Sequence, residues 1–414
     1  MTASGVEIAE ARISTIDSIG RRWQVPPTAG FWVVVSLIVT GLLGSYALTP
    51  LYPIYQQRWG FSDLTLSVAF ACYSLGTVVA LLVAGSLSDR IGRRAALLPA
   101  LVGVVVAIVV LATSINVTML LIGRALQGIF TGVVTGTAGA ALMDLAPGGS
   151  AKTAALANSS SIAVGSALGP LTAGFLVTHS AAPTLAPYIL VLVLLILGIV
   201  GVIVLPETVV RGPVRPHRIR LPRPPKNKGG FAFASLGAVV ASASMALYAA
   251  FGAPIAHLGN LDGESIGGLL VFGMFAAIGI AQFALHRLRP LAALSCGGAT
   301  CAIGWGTIVA SLVWHQPAVL IGGTLVVGTG CGLMMMGATA MVGHLVDDER
   351  RAETISLFLV IMFLGLAIPG ICGGALVDAV GLTATTTVML AFAVGAGGVL
   401  VIASRSGRMR TRLS

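Results

Sequence analysis

Arg124, Gln127 and Gly128 stand at positions i, i+3 and i+4 of the apolar stretch 118–143. Helical spacing puts all three on one face. An ionisable side chain inside such a stretch is costly in hydrocarbon, so it marks a functional site by default. A fixed cation there can act on a nearby carboxylate. Asp63, at the start of the stretch 64–88, is the nearest acid by depth, and a conformational change that parts the pair would link protonation to shape. The plainer alternative is that Arg124 only holds its helix in place: six residues separate it from position 118, about 9 Å at the helical rise, and a long side chain can cover that.

A second constellation is Gly85-Ser86-Leu87-Ser88-Asp89-Arg90-Ile91-Gly92-Arg93-Arg94-Ala95-Ala96-Leu97. Its glycines permit a close turn. Asp89, at a helix end, can accept hydrogen bonds from arginines or from the amino end of a neighbouring helix. Such a clasp holds one conformation closed and is released in the other. Charge that merely sets topology accounts for Arg90, Arg93 and Arg94 but not for the acid and the spaced glycines. A third is Gly165-Ser166-Ala167-Leu168-Gly169-Pro170-Leu171-Thr172-Ala173-Gly174. Gly165 and Gly169 allow close helix approach, and Pro170 removes a backbone donor. Weaker signals are the side chains expected to face a cavity: Tyr46, Phe70, Tyr73, Tyr248 and the adaptable Met335 within Met334–Met336.

The elements that must position these residues follow from composition. Of 414 residues, 56% are hydrophobic and 9% charged, with mean hydropathy +0.98. Soluble proteins average ~25% charged residues, so a soluble fold is excluded, as is disorder. Twelve stretches are long enough to cross a bilayer as helices, each needing ~20 apolar residues: 31–53, 64–88, 95–113, 118–143, 153–178, 187–205, 231–257, 265–285, 291–313, 318–345, 352–377 and 384–404. Continuous apolar runs argue against a strand barrel. The five cysteines match no zinc spacing and lie within apolar runs; no metal and no cofactor is expected.

Of 24 Lys and Arg, 22 fall in the termini and alternate loops on one side; Arg58 lies opposite and Arg124 within a span. Both termini are therefore expected in the cytoplasm. The net charge of +10 then points to the membrane surface and not to nucleic acid. Residues 1–30 form an amino-terminal segment with the capping-box spacing Ser4…Glu7, compatible with an interfacial helix or a disordered tail. Two six-helix bundles, 31–205 and 231–404, flank an Arg- and Pro-rich linker, 206–230, and 405–414 is a cytoplasmic tail. Gly169-Pro170 with Gly174 recurs as Ile368-Pro369 with Gly373, an offset of 368 − 169 = 199. The fold class is thus an all-α polytopic membrane protein of two pseudo-symmetric halves.

The loop Gly85–Leu97 resembles the signature between spans two and three of the major facilitator superfamily. Span count and the two halves resemble that superfamily over nearly the whole chain, and Gly165–Gly174 is similar to the span-five motif of its exporting, antiporting branch, with Ala173 where that motif has Gly. The stretch Leu121–Gly128 is similar to the span-four motif whose arginine is implicated in proton coupling. The resemblance implies an exporter of small molecules driven by proton antiport, resident in the cell's inner membrane, monomeric, with lipid, protons and substrate as its partners. All 14 acids map to loops or span ends, which favours an amphipathic or lipophilic substrate over a polar metabolite taken up with protons. An enzyme is not expected: no paired carboxylates, no Ser with a base and no clustered histidines lie within the spans. A phosphate-binding Gly-rich loop with Lys is also missing.

Overall fold

The computed structural model of the chain describes residues 25–84, 88–208, 225–261, 264–345 and 351–405. Residues 1–24, Gly85, the linker portion 209–224, Asp347, Asp348 and Glu349, and the tail beyond Arg405 lie outside the described residues, as does the side chain of Asp89. Among the described residues, twelve helices are long and apolar enough to cross a membrane. In chain order they are α1 (Pro27–Tyr46), α2 (Asp63–Ala84), α3 (Arg93–Ala112), α4 (Val117–Leu145), α5 (Ala151–His179) and α6 (Ala186–Ile203), then α7 (Lys228–Leu258), α8 (Glu264–Ala284), α9 (Pro290–Trp314), α10 (Pro317–Leu345), α11 (Arg351–Val380) and α12 (Leu382–Arg405). The described residues contain no strand.

Local chemistry sets several helix starts. Asn116 Oδ1 accepts from Met119 N at 2.9 Å, Ser150 Oγ from Thr153 N at 3.2 Å and Asn227 Oδ1 from Gly230 N at 3.0 Å. Each satisfies a backbone donor that the first helical turn leaves unpaired. The stretch 31–53 read from sequence as one span differs: α1 stops at Tyr46, a 3₁₀ turn covers Thr49–Leu51, and a separate short helix runs Tyr52–Trp59. Pro50 and Pro53 cause the break, because neither can donate to the carbonyl four residues back.

The two halves repeat one packing plan. In the first, α1 packs on α4, α5 and α6, α2 and α3 pack on α4, and α3 on α6; in the second, α7 packs on α10, α11 and α12, α8 and α9 on α10, and α9 on α12. The halves meet along two seams, α2 with α11 and α5 with α8. The repeat offset read from the sequence pairs α5 with α11, so each seam is the counterpart of the other. Exposed apolar side chains, such as Val102 and Val106 on α3 or Ile196 and Val200 on α6, belong against lipid tails. Arg93 and Arg94, at the start of α3, mark one end of the bundle, the basic face; at the opposite face the start of α2 meets the carboxyl terminus of α11, and α8 meets α5.

Candidate functional site

Arg124 lies inside the first half and is 1% exposed. It does not snorkel. Its Nε donates to Ala69 O at 3.4 Å, and its Nη1 donates to Ser45 O at 3.0 Å and to Gln127 Oε1 at 2.7 Å. Gln127 Nε2 donates in turn to Gly44 O at 3.1 Å. The guanidinium lies over two rings of α2, with Cζ 5.4 Å from the centre of Phe70 and 4.7 Å from that of Tyr73. Its partners are therefore carbonyls, an amide and aromatic faces, the last through cation–π attraction. No carboxylate is among them.

Glycines bring these pieces together. A side chain at Gly128 would overlap the Tyr73 carbonyl, and a Cβ on Gly76 would stand 2.5 Å from Ala125 O. Hence α2 and α4 touch backbone to backbone, which sets Arg124 above Phe70 and Tyr73. On α5, Gly165 and Gly169 lie flush against α1, where a Cβ would meet Val39 O at 2.5 Å and Leu43 O at 2.6 Å. That contact fixes the stretch of α1 whose Gly44 and Ser45 carbonyls hold Gln127 and Arg124. Ser45 Oγ is also hydrogen-bonded to Tyr73 OH at 3.1 Å.

A small cavity is lined by Ser45, Tyr46, Phe70, Tyr73 and Arg124 from the first half and by Ala246, Ala249 and Leu366 from the second. Tyr46 reaches across to Phe275 of α8, with ring centres 4.6 Å apart. The cavity measures about 10 Å³, room for about one water. The halves are thus collapsed on each other at the depth of Arg124.

The sequence-derived residues divide as follows. Tyr46, Phe70 and Tyr73 line the cavity with Arg124. Tyr248 does not: it is fully buried, its OH pairs with Thr324 Oγ1 at 2.8 Å, and its ring lies 5.7 Å from that of Trp305, inside the second half. Met335 is half-buried and packs against the core. The expected Asp63–Arg124 contact is not formed. Arg124 is anchored at Ala69, six residues further along α2 than Asp63, about 9 Å of helix. Asp63 instead accepts at Oδ1 from Gln56 Nε2 at 2.9 Å.

At the basic face, Arg93 is the hub. Its Nε donates to Asp144 Oδ2 at 2.9 Å and its Nη1 to Ser88 Oγ at 2.8 Å. Glu207 crowns the start of α3, accepting from Arg93 N at 2.8 Å and Arg94 N at 3.2 Å, and Thr208 Oγ1 donates to Asp144 Oδ2 at 2.9 Å. Gly92 is required twice over: its φ is +101°, and a Cβ would strike the Glu207 carboxylate at 2.5 Å. The acids seen around this loop are Asp144, at the end of α4, and Glu207, in the segment that follows α6, and sequence spacing does not connect them with it. Arg90 sits in the short helix Ser88–Ile91 between α2 and α3.

At the opposite face the seams are tight. A Cβ on Gly374 of α11 would stand 2.6 Å from Asp63 O of α2, and one on Gly268 of α8 would stand 2.6 Å from Pro170 O of α5, beside Gly174. One turn beyond Gly374, Asp378 accepts from Asp63 N at 2.9 Å and Leu64 N at 3.0 Å. These are orphan donors at a positive helix end, so the carboxylate of one half caps a helix of the other. The span-five motif therefore serves two contacts: Gly165 and Gly169 meet α1, while Pro170 and Gly174 meet the other half.

Comparison with known proteins agrees with this architecture. The family model of the Major Facilitator Superfamily matches residues 33–311. The chain belongs to the Major Facilitator Superfamily. Among curated relatives, an uncharacterized MFS-type transporter of Mycobacterium tuberculosis is 35% identical over 119 residues, 28% of this chain and 17% of the relative. The bacillibactin exporter of Bacillus subtilis is 35% identical over 112 residues, 26% of each chain. The match thus spans about a quarter or less of those two proteins. The class C tetracycline resistance protein of Escherichia coli is 28% identical over 340 residues, covering 78% of this chain and 83% of the relative. Among solved structures, a bacterial homolog of the human lysosomal transporter Spinster, inward-facing and occupied, gives a TM-score of 0.71 at 16% identity, covering 91% of this chain and 96% of the other. The human organic anion transporter MFSD10 gives 0.69 at 17% identity, covering 91% and 100%. These two share the fold. The protein is accordingly a multi-pass membrane protein of this superfamily.

Proposed function

We propose that this transporter exports small amphipathic molecules from the cell by alternating access, powered by proton antiport, as a monomer in the inner membrane with its basic face and both termini in the cytoplasm. The observation that carries the reading is the placement of Arg124 and its aromatic walls between the halves, beneath two seams that shut the opposite face. A site so placed is reached from one side at a time. Parting α2 from α11 and α5 from α8 opens it outward; closing them, as here, leaves only the basic face as an entrance. Export is supported by the relatives that match, among them an exporter and a resistance protein, and by the span-five pattern Gly165–Gly174. The loop Gly85–Leu97 acts as the basic-face clasp in this proposal. Asp89 contributes its charge there, and Arg93, held by Asp144 beside the Glu207 cap, keeps the start of α3 in place. Proton coupling runs through Arg124 and Gln127 at the site, and Asp63 meets Arg124 only in another state of the cycle. The test uses everted membrane vesicles energised by respiration. Accumulation of an amphipathic dye or drug, abolished by collapsing the proton gradient and accompanied by substrate-induced proton movement, is the expected result. Accumulation that survives loss of the gradient removes the antiport reading, and absence of transport across a broad panel removes export.

A further inference from the structure

The cation at the centre of the site has no counter-charge among the described residues. A guanidinium has five N–H donors. Nε spends its one on Ala69 O, and Nη1 spends its two on Ser45 O and Gln127 Oε1. Both hydrogens of Nη2 are left, and Arg124 lines the cavity between the halves. Every acceptor it has is neutral. The Arg93–Asp144 ion pair belongs to the basic face and not to this site. Removing a full charge from water without an opposite charge is among the costliest arrangements a protein can hold.

The second half offers no compensation. Its counterpart position on α10 is Thr324, which follows its helix start as Arg124 does (324 − 317 = 124 − 117 = 7). Thr324 is buried in a neutral bond to Tyr248. The second half gives the cavity only Ala246, Ala249 and Leu366. Two alanines leave shallow apolar relief there, and Phe70, Tyr73 and Tyr46 supply flat faces on the other side. Charge, donors and aromatic faces thus share the first-half wall of this space, and the apolar relief of the second half lies opposite.

We infer that the missing counter-ion is the substrate itself: the central site takes an organic anion with a carboxylate, or a like oxyanion, on a flat apolar body. The acid accepts the two Nη2 hydrogens of Arg124, with Tyr73 OH and Ser45 Oγ beside it, and the body lies between the aromatic wall and the alanines of α7. The bond is charge-assisted and stands in a site shielded from water, where such bonds are strongest. At about 10 Å³ the cavity cannot hold such a molecule in this conformation, so binding requires the halves to part. The anion then favours any state in which they have done so, by its differential affinity. This inference rests on the exporter reading of the same site and narrows its substrate class.

The test uses the full chain in lipid nanodiscs and three probes with one body: 1-naphthylacetate, its methyl ester and 1-naphthylmethylamine. Equilibrium dialysis, with protein-free nanodiscs as the blank, removes partitioning into lipid. Wild type should bind the carboxylate at least about tenfold more tightly than the ester or the amine, the factor one charge-assisted hydrogen bond is worth. Arg124→Gln should abolish that preference, while Arg124→Lys, which keeps the charge and loses the planar fork, should retain part of it. The wild-type order of the three probes stands even if a variant fails to insert. Equal binding of the three probes, no binding of the anion, or an undiminished anion preference in folded Arg124→Gln overturns the inference. Everted vesicles separate the two readings. If the ester or amine is exported and the anion shows no Arg124-dependent binding preference, export stands and the anion site falls. If the anion binds with that preference but none of the three probes is moved, the anion site stands and export falls.

Discussion

Removing the Asp378 carboxylate should loosen the face opposite the arginine loops without harming the fold. Asp378 accepts from Asp63 N and Leu64 N at 2.9 and 3.0 Å, and it belongs to the other half. Its contribution therefore exists only while α2 and α11 are together. Loss of a capping acceptor costs about 1 kcal/mol, within 0.5–2, and loss of a negative charge at a helix amino end costs about 0.3–1 kcal/mol more. Asp378→Ala should then destabilise the closed seam by about 1–2 kcal/mol, which raises the open fraction roughly 5–30-fold. Position 67 reports this directly. Ser67 is fully buried under Gly374, and its hydroxyl has no hydrogen-bond partner, so Ser67→Cys exchanges one poorly satisfied group for another. With Cys72, Cys296 and Cys372 replaced by Ser, the rate at which a membrane-impermeant maleimide labels the thiol introduced by Ser67→Cys should rise by that factor in Asp378→Ala. Asp378→Asn, which keeps one carbonyl acceptor but no charge, should fall between. Buried Cys301 and Cys331 in the second half serve as the control for general loosening. An unchanged or slower rate at position 67 refutes the interdomain cap, and a parallel rise at Cys301 and Cys331 refutes its being local.

Further outcomes follow from the same geometry. Gly169→Leu places a Cβ 2.6 Å from Leu43 O; it should push α5 off α1, cost on the order of 1–3 kcal/mol, and lower vesicle uptake while full-length protein still reaches the membrane. Asp144→Asn removes the carboxylate charge paired with the Arg93 guanidinium; transport should fall several-fold with insertion intact, and a normal rate would show the pair to be dispensable. Asp89→Asn should likewise leave insertion intact and sharply reduce flux, and wild-type flux in the inserted protein would end the clasp reading. Asp63→Asn keeps an acceptor for Gln56 and leaves the backbone donors to Asp378 untouched, so any loss of substrate-induced proton movement in vesicles reports on coupling and not on the seam. Unaltered proton movement would remove Asp63 from the coupling path.

Sequence alone was enough for the helical content and the number of spans, which hydrocarbon and local rules govern. Twelve apolar runs had to become spanning helices, because a backbone in lipid must satisfy its own donors. The repeat of Pro170 with Gly174 as Pro369 with Gly373 paired α5 with α11, and a single arginine at that depth marked a candidate site. Even the flush contacts at Gly165 and Gly169 were legible, since small residues spaced by four declare a helix interface. The break after Tyr46 was also available, from Pro50 and Pro53, though a hydropathy count passes over it.

The tertiary structure decided which neighbours these residues have. Depth along a helix suggested Asp63 for Arg124, but depth carries no information on azimuth or reach, and the partners turned out to be carbonyls of Ala69 and Ser45. Backbone acceptors are present at every residue and leave no trace in composition. Tyr248 and Tyr73 are the same residue type in equally apolar surroundings; one faces Thr324 inside its own bundle and the other faces the seam, because the rotation of each helix is set by packing around it. Asp144, Glu207 and Asp378 read as three ordinary helix-end acids. The last lies 315 residues from the backbone it caps, a separation that only the closing of one half upon the other removes.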